Sequence, residues 1–282
     1  MDVTDLRDKT VLVTGAGSGI GQATVLACAR RGADAVICDV NEAGLAATAA
    51  AIRGLGRDVL AERVDVADRA QMAAFAATVH ARVPAVDILV NNAGVALGAG
   101  LLTTTLDDWS WIVGINLMGV VHGCHFFVPP MVQRGRGGHV VNISSTAGFV
   151  GGEALTAYAT TKFAVVGLSE SMREELQRRQ IGVTAVCPGV INTPIVRAVR
   201  YRGPAATNDM RARTIALFER RNYPPERVAD NILKAIQRNR AVAPISPEAW
   251  TAYYLKRLAP WAVAAFGRWM NARMRRELGV TD

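Results

Sequence analysis

Two hydrophobic periods alternate along this chain, and that alternation limits its fold more than any other feature. The runs TVLVT (10–14), DAVICD (34–39), VLAERVD (59–65), VDILVNN (86–92), GHVVNIS (138–144) and GVTAVCP (182–188) have the length and β-branched content of strands. Between them, residues 19–32, 42–55, 68–82, 106–134 and 157–180 repeat at the helical period. Parallel strands can be joined only by a crossover, and the crossover is right-handed. The expected fold is therefore doubly wound α/β, a parallel Rossmann-type sheet with helices on both faces. With 282 residues, half of them hydrophobic, the chain can bury a continuous core.

No Pro/Gly/Ser linker, repeat or low-complexity tract divides the chain. The pattern changes only after PGVINTP (188–194), beyond which the sequence is arginine-rich and weakly periodic to about residue 225, before RVADNILKAIQ (227–237) turns helical again. We expect one domain over residues 1–245, with a substrate loop at about 190–225, and a helical C-terminal extension over 246–282. A loop of this length is usually functional, and it follows a strand end, where an open α/β sheet places its ligand.

The net charge of +8 is concentrated: residues 1–196 hold 15 Lys+Arg against 17 Asp+Glu, and residues 197–282 hold 17 against 7. No nucleic-acid-binding signature accompanies the basic third, which reads first as a solvated face, then as a surface for an anionic partner, then as a lipid contact. Cys28, Cys38, Cys124 and Cys187 stand singly in apolar stretches, the usage of a reduced, cytoplasmic protein without a zinc site. Asp2, Asp5 and Asp8 precede the first apolar run, so no targeting peptide is expected. No stretch reads as apolar over the roughly 18 residues of a spanning helix. His122, His125 and His139 lie near apolar runs, and nothing repeats at a metal-ligand spacing, so no metal is expected.

TGAGSGIG (14–21) follows the first strand and opens the first helix. Glycines there let the backbone approach a pyrophosphate, and the helix start offers free N–H groups. The spacing of Gly15, Gly19 and Gly21 departs from GxGxxG, and a turn without a ligand is the alternative reading. Asp39, ending the second strand, is placed to accept hydrogen bonds from a ribose 2′-OH. Ser18 fills the turn, and VNEAG (40–44) holds no Arg or Lys, so a 2′-phosphate would find no cation. NAD is expected rather than NADP.

YATTK (158–162) sets a tyrosine one helical turn before one of only four lysines. A phenol titrates near 10 and is a poor acid or base at neutral pH unless a nearby cation favours its anion. At i and i+4 the two side chains share a helix face, although such pairs also arise by chance in amphipathic helices.

TGxxxGxG, NNAG (91–94) and YxxxK, in this order, resemble the classical short-chain dehydrogenase/reductase family over roughly residues 8–195. The resemblance implies a catalytic set of Asn116, Ser145, Tyr158 and Lys162. Tyr158 would exchange a proton with the substrate oxygen, and Lys162 would lower the phenol's pKa and hold the nicotinamide ribose. Ser145, 13 residues before the tyrosine as in the family, would hydrogen-bond the same oxygen, with Ser144 as the alternative. Asn116 in INLMG would hold a water leading to the lysine. The cofactor would meet Gly15, Ser18, Gly19, Ile20, Gly21 and Asp39, and then Asp65 and Val66 at the adenine. Asn92, Ala93 and Gly94 would line its adenosine side, with Asn92 the favoured contact. PGVINT would supply Pro188, Gly189, Ile191 and Thr193, the threonine holding the carboxamide. Thr161 departs from the smaller Ser or Ala usual before the lysine, which puts tight packing there in doubt. Homodimers or homotetramers are the family's usual assemblies.

Residues 247–278 lie beyond the family's usual core. On a helical wheel Leu258, Trp261, Ala262, Ala265, Phe266 and Trp269 share a face bordered by Arg257, Arg268 and Arg275, with Arg276 breaking the stripe. A helix packed on its own domain or across a dimer is the first reading. A lid over an apolar pocket and an interfacial helix at a membrane surface are the others. The expected substrate is a bulky apolar secondary alcohol or ketone of steroid, retinoid-like or fatty type. An NADP-dependent carbonyl reductase and a non-catalytic dinucleotide-binding protein are the alternatives.

Overall fold

The computed structural model describes residues 1–203 and 206–265. Five strand–helix units open the chain: β1 (Thr10–Thr14), α1 (Gly19–Ala29), β2 (Asp34–Asp39), α2 (Glu42–Gly54), β3 (Val59–Arg63), α3 (Arg69–His80), β4 (Ile88–Asn91), α4 (Leu106–Val113), α5 (Gly119–Arg134), β6 (Gly138–Ile143) and α6 (Thr156–Leu176). A two-residue strand, β5 (Leu97–Gly98), precedes α4. Then follow β7 (Ile181–Pro188), the short β8 (Arg200–Tyr201), α7 (Asn208–Arg221), α8 (Pro225–Gln237), β9 (Val242–Ile245) and α9 (Pro247–Leu258).

Seven strands form one parallel sheet in the order β3-β2-β1-β4-β6-β7-β9. The expected doubly wound fold is present. Alternate residues of β1 point to opposite faces: Val11 and Val13 join a core with α1, α2 and α8, while Leu12 joins the core with α3, α5 and α6. Strand growth reverses between β1 and β4, which opens a crevice beyond their carboxyl ends.

The structure corrects four readings. A seventh strand, β9, closes the sheet. Its four residues, with Pro244 among them, are too short to stand out in the sequence, and the proline is tolerated because the strand lies at the edge. Residues 106–134 make a continuous helix whose middle, Gly114–Met118, is a π-turn. That helix is long and apolar enough to cross a membrane by length and composition, with a window of mean hydropathy 1.5, but half of the window is buried inside the fold. It is a core helix, packed by Ile112, Val120, Phe127 and Met131.

The segment 190–225 is not a plain loop. It holds a single turn at Pro194–Val196, β8 paired in parallel with β5, and the 14-residue α7. No residue of α7 is buried, so the helix carries no apolar stripe for periodicity to reveal. Fourthly, the extension is not one continuous helix. Ala259 leaves helical geometry (φ −141°, ψ 64°) just before Pro260, as a residue preceding proline tends to do, and a helical turn resumes over 260–265. Leu258 and Trp261 are 81% and 75% exposed, so the described part of the expected stripe does not face the body of the protein. Phe266, Arg268, Trp269, Arg275 and Arg276 lie outside the described residues. The helix docks instead through Ala249, which is fully buried, and through Tyr253, whose ring meets Phe149 edge-on at 5.5 Å.

Candidate active site

The residues of the family motifs gather along the carboxyl edge of the sheet. The glycine turn leaves β1, NNAG leaves β4, Ser145 follows β6, and PGVINT leaves β7. Gly15 has φ +64°, a conformation that a side chain disfavours, and a Cβ on Gly21 would sit 2.3 Å from the Gly15 carbonyl. Those two positions therefore demand glycine, and the turn can press against the start of α1. Asn41, Asp68 and Thr105 cap α2, α3 and α4 with their side chains, but the exposed Ser18 makes no side-chain cap on α1. The first N–H groups of α1 are thus left to a ligand, the arrangement an anionic pyrophosphate requires.

Asp39 stands over this turn. Its carboxylate accepts hydrogen bonds from the Gly17 N–H at 2.8 Å and the Asn41 N–H at 2.9 Å, so its orientation is set before any ligand arrives. Asn92 also has a structural part. Its amide donates to the carbonyls of Thr14 and Gly15, bracing the turn from the neighbouring strand end. Thr14 completes the brace, its hydroxyl accepting from the N–H groups of Asn92 and Ala93. Asp65 accepts from the Ala67 N–H at 2.9 Å, and Val66 is buried with its carbonyl on His122 Nδ1. Across the cleft, a Cβ on Gly19 would lie 3.3 Å from the Cβ of Thr193.

The two serines differ in what their hydroxyls do. Ser144 is buried and donates to the Lys162 carbonyl at 2.8 Å, a bond that ties β6 to α6. Ser145 is partly exposed and lies close enough to the Tyr158 phenol to pull its pKa down. Lys162 is buried, donates to the Ile143 carbonyl at 3.1 Å, and carries its Nζ 5.7 Å from the centre of the Tyr158 ring. The helix thus brings tyrosine and lysine together as the spacing predicts.

Burial raises the Tyr158 phenol above its ordinary value, with Ser145 pulling the other way, and burial pushes Lys162 down to about 8. Desolvation disfavours both charged forms at once.

Asn116 occupies the π-turn, and it is almost fully buried. Its Oδ1 accepts from the Val95 N–H at 2.8 Å, while Nδ2 donates to the Val95 carbonyl at 3.0 Å and to Thr161 Oγ1 at 3.3 Å. Thr161 in turn donates to the Tyr158 carbonyl at 2.8 Å. The threonine that departs from the family pattern is therefore a bridge between Asn116 and the tyrosine's turn, and a Ser or Ala would not keep both its methyl packing and that bond. Neither the bridge made by Thr161 nor the brace made by Thr14 was legible in the sequence, because Asn116, Asn92 and Ala93 lie far from them along the chain.

The remaining candidates have structural partners. His139 is buried against Thr184, and burial holds its imidazole down to about 3, hence neutral. The four cysteines are free and buried. Among the described residues no three His, Cys, Asp or Glu gather as a metal would need.

Sheet order and cleft define a class of fold, the doubly wound α/β sheet with a crevice beyond the carboxyl ends of its strands. Residues 9–202 match the short chain dehydrogenase family, and the chain belongs to that family. It is 39% identical over 265 residues to "Probable oxidoreductase EphD" of Mycobacterium tuberculosis, covering 93% of this chain and 45% of that protein. This chain therefore spans less than half the length of that relative. It is 34% identical over 245 residues to C alpha-dehydrogenase of Sphingobium sp., covering 83% of this chain and 79% of the other. Among solved structures, a short-chain dehydrogenase/reductase from Burkholderia phymatum in complex with NAD superposes with a TM-score of 0.81 at 31% identity, covering 91% of this chain and 95% of that one.

Proposed function

We propose that the protein is an NAD-dependent dehydrogenase/reductase that interconverts an apolar secondary alcohol and its ketone. The observation that carries this reading is the contact of Ser145 with the Tyr158 phenol beside the buried Lys162 ammonium, at the mouth of a dinucleotide cleft. Bound NAD would supply the hydride acceptor, and its positive ring would add to the positive charge that Lys162 provides. In the oxidative direction Tyr158 takes the proton of the substrate hydroxyl as the carbon–hydrogen electron pair leaves as hydride. Ser145 holds the same oxygen through the change from alcohol to carbonyl. Lys162 favours the phenolate and meets the nicotinamide ribose, and Asn116 keeps Val95 and the turn of Tyr158 in register.

The pre-oriented Asp39 carboxylate favours NAD, since it would accept from a 2′-OH and repel a 2′-phosphate. Apolar substrate is supported by the partly exposed side chains of the cluster that holds Tyr158, namely Val95, Trp109 and Trp111, which pack against the buried Leu97, Ala99, Ile112 and Ala157. Fluorescence titration with NADH and NADPH tests the coenzyme. The wild type should prefer NADH, and Asp39→Ala should weaken NADH by about tenfold, the value of a charge-assisted hydrogen bond. A preference for NADPH would refute the assignment and turn attention to a carbonyl reductase. Binding of either coenzyme without turnover on a broad alcohol and ketone panel would favour a non-catalytic role.

A further inference from the structure

The loop that leaves β7 is held by residues from beyond position 220. Its Gly189 N–H donates to the Ile245 carbonyl at 3.1 Å, its Asn192 N–H to the Tyr223 carbonyl at 3.0 Å, and its Val190 N–H to Glu248 Oε1 at 3.3 Å. A Cβ on Gly189 would lie 2.7 Å from that same Oε1, so the carboxylate rests directly on the loop. The other oxygen, Oε2, accepts from Arg221 Nη2 at 2.9 Å. Arg221 is the last residue of α7, and its guanidinium also sits 5.5 Å from the centre of the Tyr223 ring. One carboxylate at the start of α9 therefore joins the Gly189–Thr193 loop to the end of α7.

We infer that Glu248 is a positioning residue for the nicotinamide end of the cofactor, and that its pair with Arg221 couples that loop to α7. The inference rests on the cofactor reading above, which gives Thr193 the carboxamide. Glu248 touches neither cofactor nor substrate; it acts by fixing the backbone at Val190, three residues from Thr193. The ion pair is only partly buried, with both side chains a little over one-third exposed, so its net energy is small and its geometric constraint is what matters. A misplaced carboxamide costs binding at one end of the cofactor and leaves the adenosine end untouched.

ADP-ribose, which lacks the nicotinamide, separates the two ends. Wild type, Glu248→Ala, Glu248→Gln and Arg221→Met are titrated with NADH and with ADP-ribose, and their thermal unfolding is followed in parallel. Glu248→Ala is expected to weaken NADH by about tenfold and ADP-ribose by less than about twofold. Glu248→Gln keeps an acceptor for the Val190 N–H and should recover most of the loss, while Arg221→Met should raise KM for the alcohol or ketone more than for NADH. Equal weakening of NADH and ADP-ribose, or no change in either, would overturn the inference in favour of a merely structural contact. If Glu248→Ala does not fold, the same comparison is read from Glu248→Gln and Arg221→Met, and unchanged NADH and substrate constants in both overturn it. A wild type that binds neither ligand would remove the cofactor reading itself, a failure visible before any variant is measured.

Discussion

The sheet that carries the nucleotide cleft and the outer elements of the C-terminal third, β8, α7 and α9, are held in place by different forces. In the sheet, Val11, Leu12, Val13, Ile88, Leu89, Val90, Val140 and Val141 are all fully buried, and apolar burial does the work. Apart from α8 and β9, whose apolar residues join that same core, the C-terminal third is fastened by arginines: Arg202 grips Asp108 with two hydrogen bonds, Arg200 lies 3.7 Å from the centre of the Trp111 ring, and Arg221 meets Glu248. Arg240 and Arg257 lie over the rings of Trp250 and Tyr253. Much of the positive charge concentrated after residue 197 is thus occupied within the molecule, which reduces the need for an anionic partner or a lipid surface to explain it. A core held by non-directional burial tolerates little loss of volume; a region held by separate polar links can lose one and keep the rest.

Four changes test that difference, and the first separates chemistry from stability altogether. Tyr158→Phe should lower turnover by about a thousandfold or more, the scale of lost general acid–base catalysis, while NADH binding and thermal stability stay near wild type. Near-normal turnover would remove Tyr158 from the mechanism. Leu12→Ala in β1 should cost about 3 kcal/mol in denaturant unfolding, since it empties volume between a strand and the α3/α5/α6 layer; a cost under about 1 kcal/mol would mean that the core relaxes into the space.

Arg202→Ala should cost about 2 kcal/mol, because it leaves the buried Asp108 carboxylate without its cation while Arg202 itself is half-exposed. The two Arg202 hydrogen bonds hold the Asp108 carboxyl below its ordinary value. A depressed carboxylate contributes stability above the unfolded pKa of about 3.9 and loses it as pH falls through the folded value. The gap between wild type and Arg202→Ala should therefore be full at pH 7 and shrink below about pH 4; a gap independent of pH would mean the pair works by packing alone. The smallest effect is expected of Arg257→Ala, whose exposed guanidinium bridges Tyr253 and Glu170 at 3.6 Å: less than about 0.5 kcal/mol. A loss above about 1 kcal/mol there would show that the arginine links act as a network and not singly.

Most of the sheet could be read from local pattern, since a strand buried on both faces must be apolar and of strand length whatever its neighbours are. Six of its seven strands stand out in this way, and β9 does not because four residues with a proline carry too little pattern. The helix over 106–134 could be read as a helix, but not the π-turn that swings Asn116 inward. The helix α7 was hidden because it buries nothing, and its residues show no period that a core would impose.

The sequence by itself determined the order of strands and helices, the glycine turn, and the i,i+4 placement of Tyr158 and Lys162, because each depends on neighbours in the chain. Only the tertiary structure decided which serine faces the phenol, that Asn92 braces the turn, that Thr161 bridges Asn116 to the helix, and that Glu248 holds the loop after β7. Those choices join residues up to 78 positions apart, as between Asn92 and Thr14. Such partners are set by how the layers pack, and a hydrogen-bonding side chain carries no local mark of which distant group it will meet.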